Sequence, residues 1–148
     1  MNAYRELKDK QQKEINDFPM FFAFSKEQFE EGMKKLGLEP NETDKLYKLG
    51  GTGGFYRKSD SKALHDMFDR HEKEMAEAIA ADETGEGFIY DMFDYELANH
   101  EYGYTRDVEP ALMALGLTLD EINADQRLVR GLHKAHKDQI DWYNKHYN

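Results

Sequence analysis

Apolar residues fall along most of this chain at the three- and four-residue spacing of amphipathic helices, with Gly, Pro and short capping residues marking the intervals. Tyr4, Leu7, Ile15 and Phe18 keep that spacing among charged neighbours and predict a first helix over about Ala3 to Asp17. The run Phe18-Pro19-Met20-Phe21-Phe22-Ala23-Phe24 interrupts it. It is too apolar for a surface loop and Pro19 blocks helix continuation, so a buried extended segment is expected. Ser25 to Gln28 has capping-box form, and Phe29, Met33 and Leu36 follow on one stripe before Gly37, which predicts a second helix with a glycine stop. Lys45 to Leu49 and Phe55 to Lys58 flank Gly50-Gly51-Thr52-Gly53-Gly54, the pattern of a β-hairpin, with helix before Gly50 as the competing reading.

Ser59-Asp60-Ser61 can cap a third helix through about Ala81, with Leu64, Met67, Phe68, His71, Met75 and Ile79 on one face. Gly85 and Gly87 separate it from a fourth, about Phe88 to His100, whose apolar stripe is Ile89, Phe93 and Leu97. A short helix opens at Thr105 or Asp107 and ends near Leu115, Thr118 caps a further turn, and the last helix spans about Gln126 to Tyr143. Its inner stripe is Leu128, Leu132, Ala135, Gln139 and Tyr143, with Arg127, Arg130, Lys134 and Lys137 outside. No low-complexity linker interrupts the series, so the expectation is a mainly α fold (α+β): a single compact helical domain over 1–148 with a small β-hairpin. Asp66-Met67-Phe68-Asp69 recurs as Asp91-Met92-Phe93-Asp94, which suggests a helix pair with both Phe residues facing one core.

Charge changes the picture. The net charge is −10, and it is regional: Asp60 to Asp125 holds 18 acids against Lys62, Arg70, Lys73 and Arg106, while the rest of the chain is net positive. Between Glu74 and Thr105 lie nine acids and no Lys or Arg, interleaved with Tyr90, Tyr95, Tyr102 and Tyr104. Such a surface opposes direct nucleic-acid binding and suits a basic protein surface, including one that handles nucleic acid. Asp91, Asp94, Tyr95, Glu101 and Tyr102 are the candidate contact residues, and a solvated face that maintains solubility is the competing interpretation. The chain contains no cysteine, and it lacks both a signal-peptide pattern and a stretch of apolar residues long enough for a membrane helix. A cytoplasmic, non-membrane protein is expected.

Helix phase singles out a second group. At 100° per residue Glu96 and His100 fall beside Ile89 and Phe93, and His71 shares the apolar stripe of the preceding helix. Glu-x-x-x-His can place two ligands for a divalent metal on one face, with His71 as a third, although the spacing is neither that of di-iron helices nor His-Glu-x-x-His. A hydrogen-bonded core of the same residues is the alternative. Lys58-Ser59 after the glycine cluster lacks the phosphate-loop frame, so the glycines read as a turn.

Phe18 to Phe24, Gly50 to Asp60 and Asn99-His100-Glu101-Tyr102-Gly103-Tyr104-Thr105-Arg106-Asp107 resemble a family of small uncharacterised acidic proteins of gut bacteria and of their phages and mobile elements. That resemblance covers nearly the whole chain and implies context, with no catalytic signature to carry over. Together the readings point to a non-enzymatic acidic binding protein, with a phage or mobile-element inhibitor of a nucleic-acid-handling host system (anti-CRISPR-like, by nucleic-acid mimicry) as the specific form. The alternatives are a metal-dependent enzyme built on the inward His/Glu cluster and a housekeeping interaction protein.

Overall fold

The structure, a computed structural model, describes residues 1–147. It is mainly helical with one small antiparallel sheet, in the order α1 (Ala3–Asp17), β1 (Met20–Phe22), α2 (Lys26–Lys35), β2 (Leu46–Leu49), β3 (Gly54–Arg57), α3 (Ser61–Ala81), α4 (Phe88–Asn99), α5 (Tyr102–Thr105), α6 (Glu109–Leu115), α7 (Leu119–Asn123) and α8 (Gln126–Tyr147). The chain forms two compact units, one of Gln12–Lys73 and one of Met1–Gln11 with Glu74 onward. No helix among the described residues is long and apolar enough to cross a membrane.

In the Gln12–Lys73 unit, the strands pair in the order β1-β3-β2, with Met20 opposite Tyr56 and Tyr56 opposite Tyr47. Alternation sends successive side chains to opposite faces. Met20 and Tyr56 pack with Leu64 and Met67 of α3, whereas Phe21 joins Met33 and Leu36 of α2, with Phe29 and Phe55 against them. Both faces of the sheet are thus covered, which explains why the run around Pro19 is so apolar. Its last residues differ from the expected burial: Phe22 is 49% and Phe24 78% exposed. They lie over the hairpin glycines, where a side chain at Gly53 (φ 81°) would meet the Phe24 ring at 2.5 Å. The predicted cap of α2 is present, Ser25 Oγ accepting from the Gln28 amide at 3.2 Å, while Gln28 reaches back to the Phe24 amide.

In the other unit, α4 and α8 form the central pair. Ile89, Met92, Phe93 and Leu97 of α4 are buried with Leu128 and Ala135 of α8, Ala111 and Leu112 of α6, and Ile122 of α7. The two helices meet closely at Gly131, where an added Cβ would lie 2.6 Å from Ile89 Cγ2 and 2.7 Å from Gly85 O. Asp82 organises the loop before α4: Oδ2 accepts from the amides of Gly87 and Ile89 and Oδ1 from that of Gly85. Burial opposes ionisation of Asp82, but these donors win and hold its pKa below the usual value.

Candidate functional site

A groove of about 890 Å³ opens in the second unit, between one face of α4, α5 and the last turns of α8. Its walls follow from helix phase and from one close approach. Tyr90, Asp94 and Ala98 recur every four residues on α4, and Asp138 and Trp142 stand one turn apart on α8 with Tyr143 next to Trp142. α5 comes close because Gly103 has no side chain; a Cβ there would meet Tyr143 Cβ at 2.9 Å. Glu101 and Arg106, which flank α5, are the only non-glycine residues with positive φ among the described residues, at 57° and 60°. A left-handed conformation costs an L-residue about 1 kcal/mol or more, so this four-residue turn is held in place by its surroundings.

Polar contacts tie the walls together. Tyr90 donates its hydroxyl to Asp138 Oδ2 at 2.6 Å, and Gln139 Nε2 donates to Asp94 Oδ1 at 2.8 Å. The Tyr102 hydroxyl is 3.3 Å from His136 Nδ1. Burial raises the Tyr90 pKa, reinforced by the Asp138 carboxylate that accepts its hydrogen bond, and burial likewise raises that of Asp94, with Asp138 and Asp91 adding to the shift and the Gln139 amide opposing it. His136 moves the other way because burial and His133 both disfavour its cation. Asp94, Glu101 and Asp138 make no ion pair with Lys or Arg among the described residues, and the nearby cations rest on rings: Lys134 Nζ is 4.7 Å from the Tyr90 centroid and Arg106 Cζ is 5.8 Å from that of Tyr143. The outer rim is aromatic and open, with Tyr104, Trp142 and Tyr147 more than half exposed.

Of the predicted contact residues, Asp94, Glu101 and Tyr102 line this groove. Asp91 is used elsewhere: its carboxylate accepts from the Ala3 amide at 2.9 Å and its carbonyl from Asn2, which fastens the start of α1. Tyr95 packs against Tyr4, with Lys8 Nζ 5.5 Å from its ring. Glu101 lies beyond the end of α4, so its place beside Asp94 comes from the α5 turn. Sequence reasoning missed Asp138, Trp142 and Tyr147. Their signal was the aromatic spacing at the end of α8, which runs four residues past the expected Tyr143.

The inward group divides differently. Glu96 is fully buried, its Oε2 accepting from the Tyr4 hydroxyl at 2.6 Å and from Lys8 Nζ at 3.1 Å. His100 caps the end of α4, half-buried, with Nε2 3.9 Å from Glu96 Oε1. His71 is buried in the Gln12–Lys73 unit, where Nε2 stands 3.5 Å from Glu14 Oε2, a carboxylate also bound by Arg70. Helix phase predicts all three inward; the structure buries His71 and Glu96 and leaves His100 half-buried at the edge, because it stands one residue past the last turn of α4. The Glu96 carboxylate is engaged by a phenol and an ammonium, an arrangement that anchors α1 on α4.

Comparison with known proteins adds one decisive match: the model of a family of unknown function, DUF7659, aligns with residues 3–138. The chain belongs to this family. The match extends from α1 well into α8 and includes Asp94, Glu101, Tyr102 and Asp138, whereas Trp142 and Tyr147 lie beyond it. No curated protein and no solved structure matches the chain.

Proposed function

We propose that this protein is a non-enzymatic binding protein whose acidic aromatic groove engages a basic surface on another protein. The observation that carries the reading is the coexistence, in one groove, of three carboxylates without a Lys or Arg ion pair among the described residues and an exposed aromatic rim. Such carboxylates set encounter rate and salt dependence, while aromatic side chains supply anchoring area at low entropic cost. The finer reading follows the resemblance to proteins of gut bacteria, phages and mobile elements: an anti-CRISPR-like inhibitor that occupies a cationic channel otherwise filled by DNA or RNA. The test is capture from a bacterial lysate on the immobilised chain across a salt series, with the triple reversal Asp94→Lys, Glu101→Lys, Asp138→Lys as comparison. The expected result is a basic nucleic-acid-binding protein retained by the wild type, released by salt and lost from the reversal. Capture that survives both salt and reversal overturns the reading.

A further inference from the structure

Two carboxylates in the groove are each half used. Asp94 gives one oxygen to Gln139 and Asp138 gives one to Tyr90, so each keeps an oxygen without a hydrogen bond among the described residues. Both carboxylates line one groove with Tyr90, Tyr102, Trp142 and Tyr143, so a cation that pairs with both lies among aromatic rings. A lysine ammonium is a compact, strongly hydrated point charge and has no flat face to lay on a ring. A guanidinium is planar, weakly hydrated and carries five N–H donors in its plane, so one face can stack while its edge bridges two acceptors.

The molecule already contains one instance of this contact. Arg106 lies over Tyr143, its Nε–H donating to Gly103 O at 3.0 Å and its Nη2 to Asn144 Oδ1 at 3.4 Å. That guanidinium is held by neutral oxygens, whereas Asp94 and Asp138 have no guanidinium on them. We propose that the groove is a receptor for an arginine side chain of the partner, stacked on tyrosine and bridging Asp94 and Asp138. The proposal rests on the basic-partner reading and narrows it to one anchor residue.

The experiment titrates the full chain with three blocked peptides of one sequence, Gly-Xaa repeated three times, with Xaa as arginine, lysine or citrulline. Calorimetry gives the affinity, and the fluorescence of Trp142, the single tryptophan, reports from the groove wall. The arginine peptide is expected to bind about tenfold more tightly than the lysine peptide, which keeps the charge but lacks the planar fork that stacks and bridges at once, and the uncharged citrulline peptide not at all. In the isosteric variant Asp94→Asn, Asp138→Asn, checked for unchanged circular dichroism, the arginine advantage is expected to vanish. Equal binding of arginine and lysine peptides by the wild type would overturn the arginine proposal and leave the basic-partner reading standing. Binding of neither overturns both. An arginine preference retained by the double variant places the anchor elsewhere and also overturns it.

Discussion

Replacing Gly131 by Ala tests the packing that builds the groove. In the middle of a helix this substitution ordinarily stabilises by roughly 0.5–1 kcal/mol, because alanine loses less backbone freedom on folding. Here the new Cβ would stand 2.6 Å from Ile89 Cγ2 and 2.7 Å from Gly85 O, against the 3.4 Å of an ordinary contact, so α4 and the loop before it must draw back from α8 by about 0.7–0.8 Å. One obstacle is backbone, fixed by the Asp82 loop, so a side-chain rotation cannot relieve it. Overpacking of this kind costs roughly 1–3 kcal/mol, and the upper end applies where backbone must move. The net is destabilisation by about 2 kcal/mol, or a melting temperature lower by roughly 4–8 °C for a chain of this size. Urea denaturation of wild type and Gly131→Ala side by side measures it. A variant as stable as the wild type, or more so, would refute the close approach of α4 and α8 and the groove geometry derived from it.

Three further outcomes are expected. Tyr4→Phe removes a hydroxyl donated to the buried Glu96 carboxylate and should cost about 2 kcal/mol in urea denaturation, the range for a hydrogen bond to a charged group; a loss below about 0.5 kcal/mol would contradict the anchoring role. Asp82→Ala loses three backbone caps and should cost about 2 kcal/mol at pH 7. Because the folded-state pKa of Asp82 is lowered, its contribution is full above the unfolded value of about 4 and fades as pH falls through the folded value, so the deficit should narrow in acid. Asp94 has the opposite sign: its raised pKa makes the ionised form unfavourable, a loss that sets in as pH rises from about 4 through the folded value. Asp94→Asn should therefore be more stable than wild type at pH 7 and equal to it below pH 4, as thermal denaturation at the two pH values would reveal.

What the sequence made legible depended on local signals. The hairpin was readable because Gly50 to Gly54 separates two β-prone runs, and α2 and α7 because Ser25 and Thr118 make the side-chain caps their positions suggest. The α5 turn was not, since its flanking left-handed positions are occupied by Glu101 and Arg106, where glycine or asparagine would have given it away. The buried end of the apolar run was overestimated at Phe22 and Phe24 because β1 ends at Phe22, and from there the two rings rest on the hairpin glycines Gly54 and Gly53 and stay open to solvent. Half of the candidate site was visible in the sequence as Asp94, Glu101 and Tyr102 within the run of acids and tyrosines. The other half arrives from α8, more than 40 residues later, through contacts such as Gln139 to Asp94 that no local period encodes. A second tertiary pairing, of α1 with α4, draws Asp91 to the start of α1 and Tyr95 onto Tyr4.

The central claim, that basic ligands meet this protein at one groove, is tested most directly by amide chemical-shift mapping of the isotope-labelled chain against an arginine-rich peptide. The account predicts shifts concentrated at Asp94, Glu101 to Tyr104 and Asp138 to Tyr147, with the indole N–H of Trp142 among the largest. Shifts spread evenly over the acidic residues from Asp60 to Asp125, or confined to residues 12–73, would contradict it.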